Sequence, residues 1–384
     1  MMLEQGRGFL QKPHPILYLH HRVQIAGAER SLLALIRRLD RESFRPSFVI
    51  PSEGEFAQAL REEGVSVTFC PFSSFKTFRW DRVVKTVQRL EQIVSRLNPH
   101  LLHGNTPRAN LYAGWIGRQR GIPVVWHARN LIYGRMFDIE RTLSFIPQRI
   151  VCNSQAIRER FRGRGGFDSR ILTISSGVEL SEFRPDLDDG RIRREFNVKE
   201  NPLVALVARL GVGKGHETFL RASQKVVLQF PNARFLIIGR AEDEEDQKRE
   251  VYLKRLVDEL SLVSHVIFTG YRRDMPSLMA AITLLVVATE AEPFGRVILE
   301  AMASARPVVG TETGGTPELV REGQTGLLIP PLDPEAMARA MIRLLKNPEE
   351  AKRMGENGRR RVETEFSQEA HVQKIQALYH SLLA

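Results

Sequence analysis

The feature that most constrains this chain is a rhythm in its apolar residues. Short β-branched runs alternate with longer amphipathic stretches, in two successive sets. The first set reads "ILYLH", "PSFVI", "VSVTFC", "LLHG", "PVVWH" and "RIVCN"; the second reads "PLVALVA", "RFLIIG", "HVIFTG", "ITLLVV", "RPVVG" and "GLLIP". Alternation of this kind is what strand–helix–strand units require, and it implies parallel sheets. Several runs are apolar on both faces, as strands covered by helices on both sides must be. A chain of 384 residues also exceeds one ordinary core. The expectation is an α/β protein of two Rossmann-like, doubly wound domains facing each other across a cleft. The polar, strand-poor stretch "GVELSEFRPDLDDGRIRREF" is expected to be the linker. That reading gives one domain over 1–183, a second over 184–365, and a closing helix over 366–384.

Charge separates the two halves. Residues 1–183 hold 27 Lys and Arg against 16 Asp and Glu, whereas the remainder holds 29 of each, so the whole net charge of +11 lies in the first half. A basic half suits nucleic acid or an anionic surface. No recognisable nucleic-acid module accompanies it, so nucleic acid is not an expected partner and a nucleic-acid-binding protein stays as the alternative from another class. Cys70 and Cys152 each lie in an apolar strand run, which suits reduced core thiols and a reducing compartment. No run approaches the ~20 apolar residues of a membrane span. The first residues lack a signal-like apolar region. The expected location is cytoplasmic, at most peripheral on the inner face of the membrane.

Three stretches carry candidate chemistry. "ITLLVVATEAEPFGRVILEAMA" reads as a strand from Ile282 to Val287, a loop, and a helix with Pro293 in its first turn. Glu292 then stands just before the helix and Glu300 about two turns later. Amides near Phe294 and Gly295 would be free to meet a sugar hydroxyl or a phosphate. An acid at a helix start and a solvated glutamate fit this stretch as well. In "ARLGVGKGHETF", Arg209 follows a strand and Lys214 sits in a glycine-rich loop before a helix from His216. A guanidinium fork and an ammonium suit a diphosphate. The loop is not a Walker A motif, and a surface basic pair is the plainer alternative. In "HHRVQIAGAERSLLALIRRL", Gly27 allows close backbone approach and the helix from Ala28 offers amides. His127 ends the strand in "PVVWHARN".

Metal ligation finds little support. "DLDD" at 186–189 falls in the expected linker and reads as a solvated acidic loop, and "AEDEEDQKRE" reads as a solvated helix start. The pairs His20–His21 and His100–His103 show no acidic or thiol partner at ligand spacing.

Taken in order, "NSQAIRERF", "SSGVELSEFRP", "VARLGVGKGHETFL" and the segment from "GYRRDMPSLMAA" to "GLLIPPLDPEAMA" resemble the retaining glycosyltransferases of family 4, with the GT-B fold. The resemblance is strong over Ser154–Leu345 and weaker before it. It implies that Arg209 and Lys214 clamp the leaving diphosphate, that Glu292 binds donor-sugar hydroxyls with the amides of Phe294 and Gly295, and that Glu300 binds the ribose. Gly239, Tyr271, Arg272, Val297 and the turn at Gly314–Gly315 would line the same pocket. His127 matches a histidine beside the donor sugar. Gly27 and Ala28 match an acceptor or phosphate loop in which Ala26 replaces the first of two glycines; Ala241 likewise replaces a glycine in "IIGRAED". The resemblance further implies a donor sugar linked to UDP or GDP, a hydroxyl acceptor (a glycan or a lipid-linked sugar), and no metal or other cofactor. The closing helix, 366–384, would return to the first domain. A nucleotide-sugar epimerase or hydrolase of the same architecture is the alternative within this fold.

One further stretch, "PFSSFKTFRWDRVVKTVQRL", interleaves Phe72, Phe75, Phe78 and Trp80 with Lys76, Arg79, Arg82 and Lys85. Aromatics beside bases suit an anionic bilayer. Burial of the aromatics in a core explains the pattern equally well. "RERFRGRGG" adds arginines from Arg158 onward.

Overall fold

The computed structural model describes residues 12–75, 79–131, 138–163, 168–187 and 190–384. The chain forms two compact units. The first comprises 1–153, 160–174 and 371–384; the second comprises 154–159 and 175–370.

The first unit is built on a parallel sheet of seven strands: β1 (His14–Leu19), β2 (Phe44–Ile50), β3 (Ser66–Phe69), β4 (Leu101–Gly104), β5 (Val124–Ala128), β6 (Arg149–Cys152) and β7 (Ile171–Thr173). Their order is β3-β2-β1-β4-β5-β6-β7. The six expected strands are all present, and β7 is an additional three-residue edge strand. The second unit has six parallel strands: β8 (Leu203–Val207), β9 (Arg234–Ile238), β10 (Val266–Gly270), β11 (Leu284–Val287), β12 (Val308–Thr311) and β13 (Gly326–Ile329). Their order, β10-β9-β8-β11-β12-β13, repeats the winding of the first sheet without its last edge. Along β8 and β9, Val204, Leu206, Phe235 and Ile237 enter one core cluster. Their alternate neighbours Leu203, Ala205, Leu236 and Ile238 enter the other. Burial on both faces is why these strands read as unbroken apolar runs.

Local sequence sets the helices. In the helix Trp80–Leu97, the buried positions Val83, Thr86, Leu90, Ile93 and Val94 follow helical spacing, and Asn98 ends it in a left-handed conformation (φ 42°). The helix Pro107–Arg120 starts on a proline, whose missing amide proton costs nothing there, and ends at Gly121 (φ 65°).

The unit boundaries differ from the expected 183/184 and 365/366. The stretch expected as a linker belongs to the second unit, where Val178, Phe183, Ile192 and Phe196 are buried in its core. Those apolar residues are spaced singly among polar ones, so they leave no run to recognise. The amide of Val178 donates to the carbonyl of Phe366 (3.0 Å), and that of Gln368 donates to Val178 (3.1 Å). Residues 154–159 also count with the second unit. The Ser154 hydroxyl donates to the Pro293 carbonyl (2.6 Å), and the Glu318 carboxylate accepts the amides of Gln155 and Ala156 at 2.7 and 2.8 Å.

The last helix, Gln368–Leu383, leaves the second unit within its first turn, and its remainder belongs to the first. There Tyr379, fully buried, shares a hydrogen bond with the Tyr18 hydroxyl (2.9 Å), and its oxygen lies 2.5 Å from His103 Nδ1. Cys70 and Cys152 are both buried free thiols, and burial pushes Cys70 up to about 11. No helix of the described residues is long and apolar enough to cross a membrane.

Candidate active site

In a doubly wound sheet the strand order reverses direction at one point, and the loops leaving the two strands there diverge to opposite faces, opening a crevice at their carboxyl ends. In the second unit that point lies between β8 and β11. The loop after β8 carries Arg209 and Lys214; the loop after β11 carries Glu292. All three belong to one patch of the sheet edge, and the Lys214 ammonium lies 3.3 Å from Glu292 Oε2.

The loops are laced by their backbones. The Glu290 amide donates to Gly213 (2.9 Å), Leu210 to Arg240 (3.2 Å), Gly239 to Gly270 (3.0 Å) and Gly315 to Glu292 (2.7 Å). Gly314 makes the last of these approaches possible. Its φ is +58°, and a Cβ there would stand 2.1 Å from the Glu292 carbonyl oxygen. The turn at Gly314–Gly315 therefore presses directly on the loop that holds Glu292.

The helix after Glu292 runs Arg296–Ala303, with Gly295 (φ 92°) as its N-cap. Pro293 accordingly stands before the helix and not in its first turn, because the left-handed Gly295 intervenes. Phe294 is buried in the core and anchors the loop. Val297 is half-buried in the first turn, and Glu300 follows one turn into the helix, 4 % exposed, with Arg296 Nη2 3.5 Å from its Oε1. Glu300 is thus a buried acid and not a solvated one.

Around this centre, Gly239 follows β9, and Tyr271 follows β10 with the Arg240 guanidinium 4.8 Å from its ring centroid. Arg272 is directed elsewhere. Its guanidinium is held by Glu195 (2.5 and 2.9 Å) and Asp274 (2.9 Å to each oxygen), so its donors are spent on ion pairs that raise its own pKa. Asp186 is exposed beside Arg184, while Asp188 and Asp189 lie outside the described residues. Among the described residues, no group of three or more His, Cys, Asp or Glu is gathered as metal ligands would be.

The first unit has its own reversal, between β1 and β4. Its carboxyl edge is polar and buried: His20, Asn105, Thr106 and His127 are each less than a tenth exposed. His21 Nδ1 meets the Thr106 hydroxyl at 2.6 Å across the reversal. His20 does have an acidic partner. Glu29 Oε1 lies 2.7 Å from its Nε2, and Glu29 Oε2 accepts the Ala26 amide at 3.0 Å. Glu29 comes nine residues later on a helix, a pairing that spacing alone does not announce. The helix runs Gly27–Arg38, so Gly27 and Ala28 form its first turn, and Ala26 (φ −124°) takes an extended conformation open to any residue. A Cβ built on Gly27 meets no atom within 4 Å.

His127 is 1 % exposed and stacks on His103 (centroids 5.6 Å apart, planes at 13°). Arg129 Nη2 lies 3.3 Å from its Nδ1, and its Nε2 has no hydrogen-bond partner among the described residues. Burial, then the nearby Arg129 charge, hold His127 well below the usual histidine range, so its ring is neutral. Asn110 bridges this strand end to Glu140 (2.6 Å), which pairs with Arg160 (2.6 Å), itself held by Asp138 at 2.5 and 2.7 Å. Sequence reasoning passed over this network and over Asp246, whose carboxylate holds Arg209.

Two family models match the chain: "Glycosyltransferase Family 4" over residues 25–182 and "Glycosyl transferases group 1" over 188–361. The lipopolysaccharide core biosynthesis glycosyltransferase LpsE of Rhizobium meliloti is 27% identical over 369 residues, spanning 93% of this chain and 96% of its own. The D-inositol 3-phosphate glycosyltransferase of Corynebacterium glutamicum is 31% identical over 222 residues, 56% of this chain and 52% of its own. Among solved structures, HepE of Anabaena in complex with UDP and glucose superposes with a TM-score of 0.85 at 23% identity, covering 95% of this chain and 99% of that one.

Proposed function

The chain belongs to the group 1, family 4 glycosyltransferases and has their GT-B fold, and from that premise we propose that it transfers a hexose from a nucleoside diphosphate sugar to a hydroxyl acceptor with retention at the anomeric carbon. The observation that carries this reading is the pairing of Lys214 with Glu292 across the β8/β11 reversal, with Arg209 on the same loop as Lys214 and Glu300 on the helix that follows Glu292. A diphosphate needs fixed positive charge as its bond to the sugar breaks, and two cations at one loop supply it. Two acids at the same edge can accept hydrogen bonds from sugar hydroxyls, Glu292 from the hexose and the buried Glu300 from the ribose.

In this scheme the bond from the anomeric carbon to the phosphate oxygen breaks, and the acceptor oxygen bonds to that carbon on the same face. The acceptor's proton passes to the departing phosphate. The protein's contribution is positioning and charge stabilisation. Arg209 and Lys214 fill the electrostatic role a metal would otherwise fill, so no metal is required. Tyr271, stacked with Arg240, is the surface offered to the base, whether uracil or guanine. For the first unit we propose acceptor recognition, served by the first turn at Gly27–Ala28, and for His127 a place beside the donor sugar. LpsE supports a place in cell-surface glycan synthesis.

The test is a thermal-shift and calorimetric screen against nucleoside diphosphates and their sugars, because a ligand that binds only the folded state stabilises it according to its occupancy. UDP- or GDP-sugars should shift unfolding upward, and turnover should require an acceptor and persist in chelator. Donor turnover with no acceptor would favour the epimerase or hydrolase.

The basic half also supports docking on an anionic membrane, with the structure narrowing the residues. Phe72 is buried and packs, with Phe75, on Tyr112. Phe72 belongs to the core and Phe75 is half-buried against Tyr112, so both leave the membrane reading. Lys76 and Phe78 lie outside the described residues. Trp80 (59 % exposed) and Val84 remain outward on one helix with Arg82, Lys85 and Arg89, and they are the groups we propose to meet lipid.

A further inference from the structure

We infer that Asp246 and Gly211 are positioning residues that fix the guanidinium of Arg209 in the pose needed for a diphosphate; the inference rests on the reading of Arg209 as a phosphate ligand. Asp246 lies in the acidic run at the start of the helix Glu244–Glu259, where neighbouring acids face water. Asp246 does not: it is 3% exposed. Its carboxylate accepts two contacts from Arg209 Nη1, at 2.9 and 3.2 Å, and the amide of Glu242 at 3.1 Å. Its own amide is capped by Asp243 (2.9 Å), which fixes the turn that presents it. A carboxylate is expensive to bury unless it is paired and hydrogen-bonded. Arg209, 42% exposed at its side chain, is the pair.

The second constraint comes from the opposite direction. A Cβ built on Gly211 would stand 2.7 Å from Arg209 Cζ, 2.9 Å from Nη2 and 3.0 Å from Nε. The guanidinium therefore occupies the space beside Gly211 that any side chain there would take. Gly211 carries no positive φ, so its backbone does not itself demand glycine. What demands it is the arginine. With Nη1 held by Asp246, the Nε and Nη2 edge has no protein partner among the described residues. That edge is the two-donor fork that matches two phosphate oxygens.

The same helix carries a parallel strut. Arg249 Nη2, three residues after Asp246, meets both oxygens of Glu217 at 2.6 and 2.5 Å, on the helix His216–Val227 that follows Lys214. The first turns of the Glu244–Glu259 helix thus hold the glycine-rich loop at both ends, before it through Arg209 and after it through Glu217.

An unheld arginine would lose its preset fork and spend binding free energy on ordering, so affinity falls most for ligands with phosphate. The experiment is calorimetry on the full chain with uridine, UDP, guanosine and GDP as probes, comparing Asp246→Ala, Asp246→Asn, Gly211→Ala and Arg209→Ala. For the diphosphate that binds the wild type, Asp246→Ala and Gly211→Ala should each weaken affinity by about tenfold, while binding of the matching nucleoside stays within about twofold. Neither variant should weaken the diphosphate further in the Arg209→Ala background, since a residue acting only through Arg209 has nothing left to act on. Asp246→Asn should fall between, keeping an acceptor without the charge. Should Asp246→Ala fail to fold, Gly211→Ala, whose three nearest contacts are all atoms of the arginine, still decides. If Arg209→Ala weakens the diphosphate but Gly211→Ala and Asp246→Asn do not, the positioning role is overturned and the glycosyltransferase reading stands. If Arg209→Ala itself leaves diphosphate affinity unchanged, the clamp reading falls and takes this inference with it.

Discussion

Lys214 and Glu292 form an ion pair at 3.3 Å across the β8/β11 reversal, each about a quarter exposed or less. The two loops that meet at the switch of the sheet are therefore joined by charge before any ligand arrives. A bound diphosphate would redirect the ammonium, and the carboxylate would then be free to accept sugar hydroxyls. On the proposed reading, a donor's phosphate and sugar would replace the contact that the two side chains make with each other.

Removing the lysine should be costly for chemistry and mild for folding. Lys214→Ala is expected to lower kcat on the order of 100-fold, with a melting temperature close to wild type because the pair is partly solvated. Combined with Glu292→Gln the losses should not add, since the two groups are in contact. An undiminished kcat in a well-folded Lys214→Ala protein would remove it from the clamp.

The two glutamates should separate by ligand. Glu300→Gln is expected to weaken binding of the free nucleoside diphosphate, because a ribose contact survives without the sugar. Glu292→Gln should leave that binding nearly intact and impair transfer. Calorimetry with the diphosphate alone reads the difference, and the opposite pattern would mean that the roles are exchanged.

Acid should destabilise the protein through its buried histidines. Burial lowers His103 and His216 to about 3, and holds His127 well below its ordinary value. A group depressed in the fold is protonated first in the unfolded chain, so stability is full above about pH 6.5 and is lost as pH falls below it. Each histidine contributes a slope of about 1.4 kcal/mol per pH unit between its unfolded and folded values. Two of these slopes belong to the first unit and one to the second. Urea midpoints at pH 7, 6 and 5 should decline, and His216→Gln should flatten the decline of the second unit's transition alone. Constant midpoints across this range would contradict neutral burial.

Vesicle binding tests the membrane reading. Co-sedimentation with vesicles of phosphatidylcholine and phosphatidylglycerol should rise with the anionic fraction and fall with salt. Arg82→Glu with Lys85→Glu should abolish it, and Trp80→Ala should weaken it. Of the three tryptophans Trp126 is fully buried while Trp115 is exposed like Trp80, so in a Trp115→Phe background a blue shift in fluorescence on binding should be lost with Trp80. Wild-type indifference to anionic vesicles at low salt would leave a soluble acceptor as the reading.

Much of this architecture is written locally. Strands buried on both faces must be continuous apolar runs, so β1–β6 and β8–β13 are visible without any knowledge of their partners. β7 is not, because three residues at a sheet edge carry no periodicity. Glu292, Lys214 and Arg209 are legible because strand ends and glycine-rich loops mark where chemistry can stand. Asp246 is hidden for the opposite reason: it is one acid among several in "EDEED", and nothing local says which one turns inward. The helix start after Pro293 misleads because proline favours a first turn while Gly295 is needed for the left-handed bend before it. The bonds from Tyr379 to Tyr18 and His103 join residues 361 and 276 positions apart, a separation no local pattern spans.

The last helix has a consequence for how the protein can be made. Tyr379, Ile375 and Val372 complete the core around β1, yet every residue of the second unit's sheet is synthesised before them. On the ribosome the second unit can close its core while the first still lacks a wall, so the first to emerge is the last to finish. Neither unit is a single contiguous segment that one cut releases. Deleting the stretch from Val372 onward would leave an apolar trough over Tyr18 and Phe44, and the expected product is an aggregate retaining a folded second unit.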